Sequence, residues 1–252
     1  MNLTRRFLAS LALAFIMQPA LANDLPKVHL FTEQFPPYNM TSNAEPFAHS
    51  EDDIMGLCTN LVQSIMREAN VDYDMRLRNW SAGLNRATQK PNHGLFCMAR
   101  NAERDKQFIM VGPLTSLRWT LFAASNSSIT LNNLEDAKPY TIGGYDGDAM
   151  TVKLQDMGLN ISAISNDRFN PRRLELGQID LWISDRLAGP YVAADAFDIV
   201  GLKPVLEFET MDLYLGMNPD TDPRVLKRIQ EAYRTLENKG TLRDIRRSHG
   251  MQ

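Results

Sequence analysis

Short apolar runs alternate along the chain with longer stretches of helical spacing. Residues 27–32 (KVHLFT) alternate and predict a first strand. They run into Glu33-Gln34-Phe35-Pro36-Pro37-Tyr38, where two prolines exclude helix and predict an extended loop bearing aromatics. From Gly56 onward, Leu57, Leu61, Ile65 and Met66 recur at helical spacing through Glu68. Residues 73–77 read as a strand, and Asn79-Trp80-Ser81 caps a helix over 82–88. The stretch 94–114 then carries a buried apolar run (95–98), a polar elbow with Arg100 and Arg104, and a second run (108–111) ended by Gly112-Pro113.

The second half repeats the alternation. Strands are predicted at 117–124, 141–143, 161–164 and 179–184, with one or two more at 205–217. Helices are predicted at 149–157, 171–176, 189–196, 223–238 and 241–247, with a single turn at 134–137. No internal repeat or low-complexity linker interrupts this order, which predicts an α/β chain with mostly parallel sheets. In such sheets ligands sit beyond the carboxyl ends of strands. The groups placed there are the 35–38 loop, Arg100 and Arg104, the Gly147-Asp148 turn, and Asp185 after the buried run IDLWIS. They carry both charges, a combination that suits a small zwitterion.

The amino terminus changes the picture of where the chain works. MNLTRR is basic, residues 7–17 are apolar, and Ala20-Leu21-Ala22 has the form of a cleavage site, so residues 1–22 are expected to be a secretory signal. No cysteine follows the apolar run, so a lipid anchor is not expected, and the periplasm is the expected address. Loss of Arg5 and Arg6 takes the formal charge from −3 to −5, against a nucleic-acid or anionic-membrane partner. In an oxidising compartment Cys58 and Cys97, the only cysteines, are read as a disulfide, with two buried thiols as the alternative. His49 beside Glu51, Asp52 and Asp53 fits a solvated acidic loop better than a metal site, so neither metal nor cofactor is expected.

Taken together, the order and spacing of these residues resemble the extracellular solute-binding proteins of family 3, the periplasmic amino-acid-binding proteins of ABC transporters. The markers are Phe35-Pro36-Pro37-Tyr38 after the first strand, the Gly56 helix, and Trp80 before the second helix. They continue with Asn101-Ala102-Glu103-Arg104 followed by Phe108 and Pro113, then Gly177-Gln178-Ile179-Asp180 leading to Asp185, and Lys239-Gly240-Thr241-Leu242. The resemblance implies a type II periplasmic-binding-protein fold: two α/β lobes joined by two crossover strands, with a ligand cleft between them. Lobe 1 would comprise 23–124 and 211–252, and lobe 2 residues 125–210.

Carried over by position, the resemblance implies that Arg104 clamps a ligand carboxylate and Asp185 receives its ammonium. It further implies that Phe35 and Trp80 flank the ligand's side chain, with Tyr38, Arg100, Asn101 and Asp148 nearby. Bland alternatives stand beside these: Trp80 as a core cap, Asp185 as a tether for Arg186 or a backbone turn, Phe35 as loop packing. The sequence departs from the family at Ala99, Asn101 and Asp148, where hydroxyl residues are usual, which widens the ligand class to amine-rich or modified molecules. The expected role is a monomeric, non-enzymatic binding protein delivering a small polar ligand to an inner-membrane permease or sensor. A dehydratase acting on cyclic carboxylic acids is the enzymatic alternative, with Glu33, Asp148 or Asp185 as its general acid.

Overall fold

Residues 25–43, 45–146 and 149–251 are described by the structure, a computed structural model. The expected signal segment and Gly147-Asp148 lie outside them. The chain forms β1 (Val28–Thr32), the two-residue β2 (Met40–Thr41) and β3 (Ile54–Met55), α1 (Leu57–Ala69), β4 (Tyr73–Leu77), α2 (Trp80–Gln89) and β5 (His93–Ala99). The short α3 (Arg104–Gln107) leads into a 15-residue strand, β6 (Ile109–Ala123). Next come β7 (Ile142–Tyr145), α4 (Ala149–Asp156), β8 (Ile161–Ile164), α5 (Asn170–Glu175), β9 (Leu181–Asp185) and α6 (Ala188–Phe197). A second 15-residue strand, β10 (Lys203–Met217), precedes α7 (Pro223–Asn238) and α8 (Thr241–Ser248).

The strands other than β2 and β3 make one sheet in the order β4-β1-β5-β10-β6-β9-β7-β8. Its flanks are parallel, as the strand–helix alternation predicts, but β10 pairs antiparallel with both β5 and β6, and β6 antiparallel with β9. The expectation of mostly parallel sheets therefore holds at the edges and fails at the centre. The runs at 108–111 and 117–124 are likewise one strand, because Gly112-Pro113 does not end the ladder. Gly112 takes a φ of +146°, and a Cβ there would lie 2.8 Å from the Tyr214 ring. The register with β10 shifts between Leu213 and Leu215 there. A bulge thus absorbs the missing proline N–H.

Two bodies of core hang on this sheet. In the first, Leu61 and Ile65 of α1, Ile229 of α7 and Leu242 of α8 pack on Leu30, Phe96 and Leu215. Ala87 of α2 covers Phe31 and Leu95 on the opposite face. In the second, Leu154 of α4 packs with Leu121, Ile142 and Leu181, and Trp182 packs with Leu174 and Val192 on the other face. β10 meets β5 through 213–217, and β9 meets β6 through 119–122. Between these, residues 116–118 and 210–212 have no other strand as partner among the described residues, a two-stranded neck joining two α/β lobes. No helix among the described residues is long and apolar enough to cross a membrane.

Cys58 and Cys97 are joined, with Cα atoms 5.9 Å apart. Cys97 has a φ of +63° and is the extra residue where the β5–β10 register shifts, so the bulge turns its side chain toward the first turn of α1. The closed loop spans 39 residues, for which loop entropy gives a stabilisation of about 4 kcal/mol. Cys58→Ser is expected to lower the urea-unfolding free energy by about that amount, and the unfolded, unreduced protein to show no free thiol. Two titratable thiols in that state would overturn the pairing.

Candidate functional site

The loop after β1 is fixed by the helix that follows it. The first amides of α1, Leu57 N and Cys58 N, donate to the carbonyls of Pro37 and Tyr38 at 3.0 and 2.9 Å. Gly56 makes this approach possible: its φ is +121°, and a Cβ there would lie 2.5 Å from the Tyr38 carbonyl oxygen. Tyr38 is thereby fully buried, and the half-buried Phe35 stacks on it at 5.0 Å between centroids.

Phe35 borders a cleft made of two cavities. The first, about 290 Å³, is lined by Glu33, Trp80, Ala99, Arg104 and Leu213 among others. The second, about 410 Å³, lies across the neck and is lined by Tyr145, Met150, Asp167, Ile183, Asp185 and Val192 among others. Glu33, Phe35 and Leu117 line both, so the two are continuous. The walls are mainly aromatic and aliphatic with a few charges, the make-up of a small-molecule site.

Arg104 opens α3, and Asn101 places it: Asn101 Oδ1 accepts from Arg104 N at 2.9 Å and from Glu103 N at 3.1 Å. The guanidinium lies 4.9 Å over the Trp80 ring, and one N–H donates to the Ala99 carbonyl at 2.6 Å. Among the described residues no carboxylate lies within ion-pair distance of it. Burial pulls the Arg104 pKa down, and the Glu103 and Glu33 charges oppose that. Glu33 is the acid of this cavity. Burial pushes its pKa up, with Arg104 pulling the other way.

Asp185 is almost wholly enclosed, at 2% exposure, and the protein occupies its oxygens. Oδ1 accepts from Tyr38 Oη at 2.8 Å and from Leu187 N and Ala188 N, both at 2.9 Å. Oδ2 accepts from Arg118 N at 2.8 Å. The carboxylate thus caps the start of α6 and ties β9 to β6 and to the loop after β1, across the cleft. Burial first, then the Asp185 charge, raise the Tyr38 pKa, which keeps the phenol a donor.

The structure thus brings Arg104, Trp80 and Phe35 to one cavity and Asp185 to the adjoining one. Tyr38 supports the site from the core, and Asn101 caps α3. Arg100 is directed elsewhere: it pairs with Asp105 at 2.7 Å and lies over Tyr214, lining neither cavity. Asp148 lies outside the described residues. Asp167 was not anticipated, and Glu33 only as an enzymatic acid. Both stand beyond the carboxyl ends of strands (β8 and β1), the signal that could have marked them. Asp167 Oδ1 accepts from Trp182 Nε1 at 3.0 Å. His49 lies 2.7 Å from a guanidinium nitrogen of Arg78, and no metal-binding group of side chains occurs among the described residues.

No protein-family model and no curated protein matches the sequence. Solved structures do match. The probable amino-acid ABC transporter extracellular-binding protein ytmK from Bacillus subtilis aligns at TM-score 0.72 with 16% identity, over 88% of this chain and 96% of that one. Substrate-binding domain 2 of GlnP from Lactococcus lactis, in its open conformation, gives 0.68 with 13% identity, over 87% and 93%. A histidine kinase sensor domain similar to periplasmic binding proteins gives 0.67 with 18% identity, over 89% and 96%. At these identities the likeness is one of fold: two α/β lobes with a cleft between them.

Two outcomes follow from this geometry. Tyr38→Phe removes one donor from a buried carboxylate and is expected to cost about 2 kcal/mol in urea unfolding; an unchanged midpoint would show that the link across the cleft is not closed in solution. For Glu33, a raised folded-state pKa means that stability falls as pH rises through it. Glu33→Gln is therefore expected to stabilise the unliganded protein at pH 7 and to have little effect below about pH 3, where the carboxyl is neutral in both states. A variant less stable than the parent at pH 7 would contradict this.

Proposed function

We propose that the protein is a periplasmic binding protein that captures a small zwitterionic molecule, an amino acid or a relative of one, between its two lobes. The observation that carries this reading is an arginine without an ion-pair partner, stacked on a tryptophan in a cavity whose acid, Glu33, also lacks one among the described residues. A guanidinium fork suits a carboxylate, a carboxylate suits an ammonium, and flat aromatic faces hold the carbon body between them. Arg104 then takes the ligand's carboxylate, and Trp80 and Phe35 take its body. Its ammonium goes to Glu33 or to Asp185 Oδ2, which accepts a single bond from the described residues. Domain limits of 23–124 with 211–252, and of 125–210, belong to this reading. Cleavage after Ala22, a monomeric state, and delivery to an ABC permease or a membrane sensor complete the reading.

A second reading rests on Glu33 alone. A carboxyl whose pKa is raised by burial suits a general acid, as a dehydratase acting on cyclic carboxylic acids would need. Turnover of prephenate or arogenate by the pure protein decides for it.

The test is a thermal-shift screen of protein unfolded and refolded to strip bound ligand, with amino acids, polyamines, dipeptides and small carboxylates. A ligand at a hundred times its Kd stabilises by about 2.7 kcal/mol. Arg104→Ala is expected to weaken the hit about 30-fold or more while leaving the unliganded midpoint unchanged. Calorimetry showing equal affinity in that variant would remove Arg104 from the site.

A further inference from the structure

The other large cavity, also about 410 Å³, lies on the opposite side of the neck. Along β6, Leu117 lines the cleft, whereas Ser116 and Arg118, its neighbours on the other face, line this second space. Its far wall is α8, whose Arg243, Arg246 and Arg247 line it together. Spaced three and four residues apart, they share one helix face.

The acids nearby do not cancel these charges. Glu237, the one carboxylate in the lining, is taken by Arg246 through two hydrogen bonds of 3.0 and 2.9 Å. Glu207 lies 3.6 Å from Arg118 but accepts from Arg186 at 3.0 Å. Asp212 accepts from Ser116, and Asp244 is an exposed neighbour 3.7 Å from Arg243. Arg247 makes no ion pair with a described residue. Arg118 Nε is buried with no hydrogen-bond partner among the described residues. The lining itself holds four guanidinium groups and one carboxylate, in a chain of net charge −3. Arg243 and Arg247, four apart on a helix, repel each other, while Arg247 in the last turn is favoured by the helix dipole. The floor is apolar, formed by Leu114 and Met251.

We propose that this cavity binds a small organic or inorganic anion carrying two or more anionic groups, a polycarboxylate or an oligophosphate, independently of the cleft. Arg243 and Arg247 supply its charge, and the apolar floor accommodates a carbon skeleton. The site sits on the strands that join the lobes, and Arg118, whose side chain lines it, also donates its amide to Asp185.

Isothermal titration of the whole protein with citrate and with pyrophosphate tests this, against Arg104→Ala and the double variant Arg243→Gln/Arg247→Gln. Saturable one-to-one binding of either anion is expected, weakened by added salt, retained in Arg104→Ala and weakened at least 10-fold in the double variant. The double variant is expected to unfold close to the parent's temperature without anion, since relieved like-charge repulsion offsets the lost Asp244 pair and helix-dipole interaction, yet to lose the rise that the anion gives the parent. Single Arg247→Gln should show the same pattern more weakly. No saturable binding of either anion overturns the proposal. So does binding lost in Arg104→Ala but kept in the double variant, which would assign it to the cleft.

Discussion

The antiparallel ladder between β6 and β10 holds the molecule together. It runs from Lys203 against Ala123 to Met217 against Ile109, and each end is built into a different parallel flank of the sheet. At the neck the two strands have only each other as strand partners among the described residues, and the bonds that reinforce them come from the end of β9, where Arg186 N donates to the Arg118 carbonyl and Asp185 accepts from Tyr38 and Arg118. Asp185 matters because it gathers donors from three places: the loop after β1, β6 and the start of α6. A buried carboxylate is tolerable only when its oxygens are satisfied, and here satisfying them also sets the distance across the cleft.

Charge is distributed by the same logic. In the cleft a guanidinium and a carboxyl lie in one cavity without pairing, and each is shifted by burial in the direction that disfavours its charged form. An arrangement that leaves both groups paying for desolvation is unfavourable for an empty protein and favourable for one holding a ligand of complementary charges. The disulfide bears on the same wall, since Cys97 lines the Arg104 cavity while Cys58 sits in the first turn of α1.

Much of this was legible in the residues. Strands and helices with strong periodicity, such as Tyr73–Leu77 and Pro223–Asn238, fall where the pattern puts them. The rule that ligands gather beyond strand ends led to Phe35 and Arg104, the resemblance added Trp80, and the three line one cavity. What was not legible depended on tertiary pairing. Nothing local says that a strand continues through Gly112-Pro113, because the bulge that permits it requires β10 as partner. Nor does the sequence reveal that Asp185 meets Tyr38, a contact between residues far apart in the chain. Arg100 and Arg104 look equivalent in the polar elbow; only the packing of α3 turns one toward Trp80 and the other toward Asp105.

The strand at the centre of the sheet is also among the last to be made. Leu215 pairs with Phe96 on one side and Val111 on the other, so the first lobe's sheet has a gap until residues 203–217 have emerged. Helices α7 and α8, which cover Leu30 and Phe96, come later still. Contacts so distant in sequence close slowly because the loop entropy must be overcome first. The first lobe therefore cannot close its core while the carboxyl-terminal fifth of the chain is withheld, whereas the strands of the second lobe are already in hand.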